Sequence, residues 1–187
     1  MKGCKALIIG GSAGSLEVLL AILPDLSPEL SFPIIIVVHR KLGQDSLLSE
    51  LLSSKTSLRV KDVEEKEKIM NQTIYIAPSG YHLLLEKDFT FSLDYSEKVN
   101  YSRPSIDVTF QSAAEVYTDK LACLLLSGSN ADGVHGLKTV KRFGGELLVQ
   151  DPNTAAVDYM PSRAISATKI DVVLPTVNMA DYINSLI

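Results

Sequence analysis

The sequence predicts an α/β fold, a doubly wound, mainly parallel sheet with helices on both faces and an antiparallel hairpin inserted in it. Three observations carry this. Residues 32–38 and 121–126 are near-continuous apolar runs without polar alternation, the mark of central strands covered on both faces. Strand-like and helix-like segments alternate toward both ends of the chain, as βαβ units require. Between residues 73 and 93 that rhythm is broken by short strand-like runs separated by turn residues.

Taken in order, Lys5 to Ile9 forms the first strand and leads through Gly10-Gly11-Ser12-Ala13-Gly14 into a helix beginning near Ser15. Leu16, Leu19, Leu20 and Leu23 recur at helical spacing, and Pro24 ends the pattern. The second strand closes at His39. Leu47, Leu48, Leu51 and Leu52 predict a second helix, Leu58 to Lys61 a short strand, and the mixed charges from Asp62 to Lys68 a solvated loop. Runs at 73–77, 81–85 and 89–93 read as strands, with turns at Pro78-Ser79-Gly80 and Glu86-Lys87-Asp88. After a polar loop, Ser105 is placed to cap a helix on which Ile106, Phe110, Ala113, Ala114 and Tyr117 share a face. The apolar strand from Leu121 to Leu126 then runs into the loop from Ser127 to Gly133 and a helix from about Val134 to Phe143, stopped by Gly144-Gly145. A strand at 146–150, a helix from Pro161 to Ala167, a strand from Val172 to Leu174 and a helix from Met179 to Leu186 complete the chain.

With 187 residues and 46% hydrophobic content, the chain is long enough for one well-buried core and short for two, so residues 1–187 are read as a single domain. A net charge of −4 without a basic run opposes phosphate-driven nucleic-acid binding. No apolar stretch approaches the roughly 18 to 20 residues that span a bilayer. A cytoplasmic protein without membrane insertion is the expectation. Cys4 and Cys123 lie in apolar runs and read as packing thiols. The three histidines show no i, i+4 pairing and neither cysteine has a second ligand at zinc spacing, so no metal or other cofactor is expected.

Gly10-Gly11-Ser12-Ala13-Gly14 fits G-x-S-x-G, the turn that holds a serine hydroxyl clear of a sheet between strand and helix. A dinucleotide fingerprint would need glycine at Ser12, and a P-loop would need Gly-Lys-Ser/Thr; neither is present. Taken alone, Ser12 reads equally as a nucleophile or, like Ser15, as a helix cap. Ligands of open parallel sheets bind at the carboxyl ends of the strands, near a switch point. Three candidates reach that edge: Ser12 after the first strand, His39 at the end of the second, and Asp132 in the loop after the 121–126 strand. A serine needs a base to take its proton, and the base needs a carboxylate to orient it. Each has a plainer reading, His39 as a hydrogen-bonded strand end and Asp132, before Gly133, as a turn residue. His82 falls in the hairpin and His135 on the following helix, so both rank below His39. The order Ser, His, Asp excludes an ordinary α/β-hydrolase, where the acid precedes the histidine.

These motifs resemble the catalytic domain of chemotaxis protein-glutamate methylesterases, the CheB-type enzymes, over nearly the whole chain. The resemblance rests on Ile9-Gly10-Gly11-Ser12-Ala13-Gly14, Val37-Val38-His39, Ile76-Ala77-Pro78-Ser79-Gly80-Tyr81-His82-Leu83, Arg103-Pro104-Ser105-Ile106-Asp107, Asp132-Gly133 with Gly136-Leu137, Gln150-Asp151, and Met160-Pro161 through Ala164-Ile165. It implies a serine hydrolase that removes methyl esters from glutamate side chains of a methylated chemoreceptor-like protein, releasing methanol, and in some members deamidates glutamine. Ser12 would be the nucleophile, His39 the base and Asp132 its orienting acid. Backbone N–H groups at Ala13 and in the loop containing Ser129 and Asn130 would hold the oxyanion, and Arg103 would organise the site or meet an acidic receptor surface.

The family usually has threonine at Ala13, glycine at Ser15 and Gly-Met-Gly at Gly128-Ser129-Asn130. Its full-length enzymes carry an N-terminal receiver domain that this sequence does not contain, so the chain is read as a stand-alone catalytic domain or part of a larger protein. Two other functions fit the same fold: a non-catalytic module that docks on receptor helices, and a small-molecule carboxylesterase.

Overall fold

Strand β1 (Ala6–Gly11) is buried along its whole length, with Leu7 and Ile9 turned to one face of the sheet and Ala6 and Ile8 to the other. Side chains alternate across a strand, so an uninterrupted apolar run requires cover on both sides. The structure, a computed structural model, describes residues 3–40 and 45–186. Its main sheet contains β1, β2 (Ile34–Val38), β3 (Arg59–Asp62), β4 (Thr73–Ile76), β7 (Leu121–Leu125), β8 (Glu146–Gln150) and β9 (Val172–Leu174). These are parallel throughout, in the order β3-β4-β2-β1-β7-β8-β9. The order runs outward in opposite directions from β1 and β7, which makes their boundary the topological switch point.

One face is covered by α1 (Ser15–Ile22), α2 (Asp45–Ser53) and α6 (Thr176–Asn184), where Leu19, Ile22, Leu52, Met179 and Ile183 pack on Leu7, Ile9, Ile34 and Leu124. The other is covered by α3 (Ile106–Tyr117), α4 (Val134–Arg142) and α5 (Tyr159–Ala167), through Phe110, Leu137 and Met160 against Ile8, Val37, Cys123 and Leu125. The doubly wound fold is therefore as expected. The antiparallel hairpin is β5 (His82–Leu85) paired with β6 (Phe91–Asp94), and it stands as a separate two-stranded sheet instead of joining the parallel one. The reason is burial: Leu83, Leu85 and Phe91 join the core on the α3 face, while β4 alone of the three central runs pairs with β2.

Boundaries shift in ways that follow local chemistry. Helix α1 ends at Ile22 and tightens into a 3-10 turn at Leu23–Asp25, where Pro24 cannot supply a helical N–H. Its inward stripe is Val18, Leu19, Ile22 and Leu23, whereas Leu16, expected to face inward, is 40% exposed. Helix α5 begins at Tyr159, two residues before Pro161, which still falls in the first turn. Neither serine near the start of α1 caps it with a side chain. Gly14, in the left-handed region at φ +82, takes the N-cap position, and Ser15 Oγ donates back to the Ser12 carbonyl at 2.6 Å. Among the described residues no helix is long and apolar enough to cross a membrane.

Candidate active site

The carboxyl ends of β2, β1 and β7 are adjacent in the sheet, so residues far apart in sequence meet there. The His39 N–H donates to the Gly11 carbonyl at 3.2 Å, and the Ser12 N–H donates to the Ser127 carbonyl at 2.9 Å. These bonds lock the three strand ends together. Gly128 passes so close to Ser12 that a Cβ on it would lie 3.1 Å from Ser12 Cβ and 2.5 Å from Met160 Cε. A side chain there would have to push the end of Met160 aside and shift Ser12 by a few tenths of an ångström.

Asp132 is fully buried and accepts hydrogen bonds from both sides. Its Oδ2 receives His39 Nε2 and the Ile106 N–H, each at 2.7 Å. Its Oδ1 receives Ser105 Oγ at 2.8 Å and the Asp107 N–H and Asn100 Nδ2 at 3.1 Å. Two of these donors are first-turn amides of α3, whose positive end suits an anion. Burial pushes the Asp132 carboxyl up, but the His39, Ile106, Ser105 and Asp107 donors outweigh it and hold the group below its ordinary 3.8. Ser105 therefore does not cap α3 with its own hydroxyl, as the sequence suggested. It turns that hydroxyl to Asp132, and Asp132 caps the helix in its place.

Since an ionised carboxylate can only accept, His39 Nε2 carries the proton, and in the neutral imidazole the free lone pair is then on Nδ1. Asn130 accepts the Asp132 N–H at 3.1 Å through Oδ1 and turns its Nδ2 toward His39 Nδ1 at 3.5 Å. Ser12 Oγ has no hydrogen bond among the described residues, yet Ser12 and His39 line one cavity of about 310 Å3 with Leu16, Leu19, Leu47 and Leu51. Hydrogen bonds of catalytic groups are often long or unmade in the absence of substrate. Among the described residues, no acceptor takes the N–H of Ala13, Ser129 or Asn130. Arg103 donates from Nη1 to the Tyr95 and Ser96 carbonyls at 3.2 and 2.8 Å, with its guanidinium 4.0 Å over the Tyr95 ring. It organises the loop beside His39.

Neither of the other two histidines lines the cavity shared by Ser12 and His39. His135 pairs with Gln111 at 2.7 Å on the exposed α3–α4 face. His82 is 1% exposed, donates from Nε2 to the Glu97 carbonyl and accepts the Ser105 N–H at Nδ1. Burial raises the Cys4 thiol to about 11 and the Cys123 thiol well above its ordinary value, as packing thiols require. No group of three or more His, Cys, Asp or Glu among the described residues is arranged to hold a metal ion.

Sequence reasoning missed the braces. Ser127 receives Ser12 at its carbonyl, donates from Oγ to the Ala13 carbonyl at 2.7 Å and gives its N–H to Gln150 Oε1 at 2.8 Å. Asn100 donates through Nδ2 to both Asp107, at 2.8 Å, and Asp132. The signal available was polarity closing an apolar strand, at Ser127 and Gln150. For Asn100, in an exposed loop, there was none.

A serine, a histidine and a helix-capping carboxylate gather at the switch point of a doubly wound parallel α/β sheet, in a chain order unlike that of α/β-hydrolases. Residues 7–183 match the family CheB methylesterase, and the chain belongs to that family. The catalytic domain of Thermotoga maritima CheB methylesterase, a crystal structure, superposes with a TM-score of 0.94 at 34% identity, covering 98% of this chain and 99% of that one. A Leptospira interrogans relative is 46% identical over 177 residues, 95% of this chain and 92% of its own. The Thermotoga maritima protein-glutamate methylesterase/protein-glutamine glutaminase is 34% identical, and a Methanosarcina acetivorans protein of that activity, numbered 2, is 33% identical; the chain spans 54% and 53% of their lengths.

Proposed function

We propose that this protein is a cytoplasmic serine hydrolase that removes methyl esters from glutamate side chains of a chemoreceptor-type protein and deamidates glutamine at such positions. The observation that carries the reading is the bond from His39 Nε2 to the buried, helix-capping Asp132 at 2.7 Å, with His39 lining the cavity that Ser12 also lines.

Ser12 Oγ attacks the ester carbonyl carbon while His39 Nδ1 takes its proton, and the imidazolium is stabilised by Asp132. The tetrahedral oxyanion is held by backbone N–H groups at Ala13 and in the Ser129-Asn130 segment, each such donor worth about 2.7–4 kcal/mol in the transition state. Collapse breaks the carbonyl–methoxy bond, and His39 returns the proton so that methanol leaves. Water then attacks the acyl-enzyme, His39 takes its proton and restores it to Ser12, and a free glutamate remains. With glutamine the leaving group is ammonia and the remaining steps are the same.

Because backbone groups carry the oxyanion, alanine in place of threonine at Ala13 preserves the chemistry. The leucines beside Ser12 and His39, with Leu16 at 40% and Leu47 at 66% exposure, form an apolar cleft open to a protein segment. The test is methanol release from a methylated receptor. Ser12→Ala is expected to lower it by about 10⁴-fold or more and to abolish labelling by a fluorophosphonate. Full release by Ser12→Ala overturns the assignment, and receptor binding without labelling of the parent chain would establish the non-catalytic docking module instead.

A further inference from the structure

His39 and Arg40 border two cavities of opposite character. The leucine cleft is one; the second, about 330 Å3, is lined by His39, Arg40, Lys98, Tyr101 and Arg103 together with Gly80 and Ser102. Three permanent cations and a histidine meet there, with no carboxylate among the described residues of the lining, although the chain as a whole carries a net charge of −4. Each cation is set differently. Arg40 Nη2 donates to the Ala77 carbonyl at 2.6 Å and stands 3.9 Å from Asp62 Oδ1, which holds it against the ends of β3 and β4. Arg103 is fixed by Tyr95 and Ser96, and its buried Nε has no hydrogen-bond partner among the described residues. Lys98 is exposed and pairs with no carboxylate among the described residues.

We propose that this cavity is a second substrate subsite, which binds the carboxylate of an acidic side chain lying in the same protein segment as the ester; the inference rests on the proposed esterase activity. A carboxylate there gains chiefly from Lys98 and Arg103, with Arg40, already held by Asp62, adding to the positive field, in a recess that is partly shielded from water, where charges interact more strongly than on an open surface. The rim has the composition of a protein-recognition surface: Tyr101 is 97% exposed, and Tyr81 and Tyr95 pack with ring centres 5.6 Å apart beside Arg103. The same loop is tied to the reacting groups. Asn100 and Tyr101 both hold positive φ, at 51° and 61°, a costly conformation that presents Tyr101 to solvent while the Asn100 amide grips Asp132 and Asp107. A segment bearing an apolar residue near the esterified side chain for the leucine cleft and an acid for the cationic cavity would engage both.

The test uses methylated receptor segments carrying glutamate, glutamine or lysine at one position flanking the ester, assayed for methanol release by the parent chain and by Lys98→Glu. For the parent chain, KM is expected to rise roughly 2- to 5-fold from glutamate to glutamine and further with lysine. Lys98→Glu should reverse that order, so that the lysine segment becomes the better substrate. A merely structural role for Lys98 would raise KM equally for all three segments, and that result overturns the subsite. A change confined to inhibition by the free glutamate product, with KM indifferent to the flanking residue, would assign the cavity to the product carboxylate and likewise overturn it. If the parent chain releases no methanol from any segment, the esterase reading itself fails, which is a distinguishable outcome.

Discussion

At Asp132 two requirements oppose each other, since burial disfavours the charge and the chemistry needs that charge beside His39. The conflict is resolved by donors: side chains from Asn100, Ser105 and His39 and two amides of α3 surround one carboxylate. Asp107, which shares the Asn100 amide, is shifted the other way, raised by burial and by the nearby Asp132 charge. Asp132→Asn would leave the shape and remove the charge, and kcat for methanol release should drop about 10⁴-fold. Its stability has a definite sign. A carboxyl held below 3.8 in the fold stabilises it fully above that value and loses the contribution as pH falls through the lower folded value. Thermal unfolding should therefore show the largest gap between the parent and Asp132→Asn near neutrality, by about 1–3 kcal/mol for donors left without the carboxylate, narrowing as pH drops below 3.8. A gap that widens on acidification would contradict the depressed carboxyl.

At the scale of elements, the site depends on how the loop after β7 meets the turn after β1. Ser127 and Gln150 tie that loop to Ala13 and β8, and Gly128 lets it press on Ser12. Gly128→Ala introduces a Cβ at 2.5 Å from the flexible end of Met160, which can move, and at 3.1 Å from Ser12 Cβ, which must shift. Overpacking of this kind costs about 1–3 kcal/mol, whereas moving Ser12 by a few tenths of an ångström acts on the reacting atom itself, where a displacement of about 1 Å would cost on the order of 100-fold in rate. Measured together, kcat should fall far more than the melting temperature does. Equal, mild effects would show that the loop does not position Ser12.

Across the whole molecule, residues 12, 39 and 132 come together only through the parallel sheet, so labelling of Ser12 should disappear with global unfolding and not before. Phe110 links these scales: it is fully buried between the sheet and α3, the helix on which it lies and whose first-turn amides hold Asp132. Phe110→Ala should destabilise the fold by about 3–5 kcal/mol, moving the denaturant midpoints of labelling and of circular dichroism down together. Separated midpoints would show that the site melts independently of the core.

The chain order of elements was legible because apolar periodicity is a local property: the runs 34–38 and 121–125 had to be central strands, and the glycines around Ser12 had to be a turn. Strand-end logic, with the family resemblance, marked Ser12, His39 and Asp132 as meeting at one edge, and the sheet order makes those ends neighbours. Side-chain direction was not legible. Nothing local says that Ser105 turns its hydroxyl to Asp132 instead of to its own helix, that Asn100 reaches two carboxylates from an exposed loop, or that Leu16 faces the cleft. Nor does pattern say that the hairpin leaves the main sheet. The sequence by itself determined the fold class and the edge at which the polar groups collect, because hydrophobic burial follows the order of residues. Only the tertiary structure decided which donors hold Asp132 ionised and which cations line the second cavity, because those depend on distances of a few ångströms between segments that the chain separates.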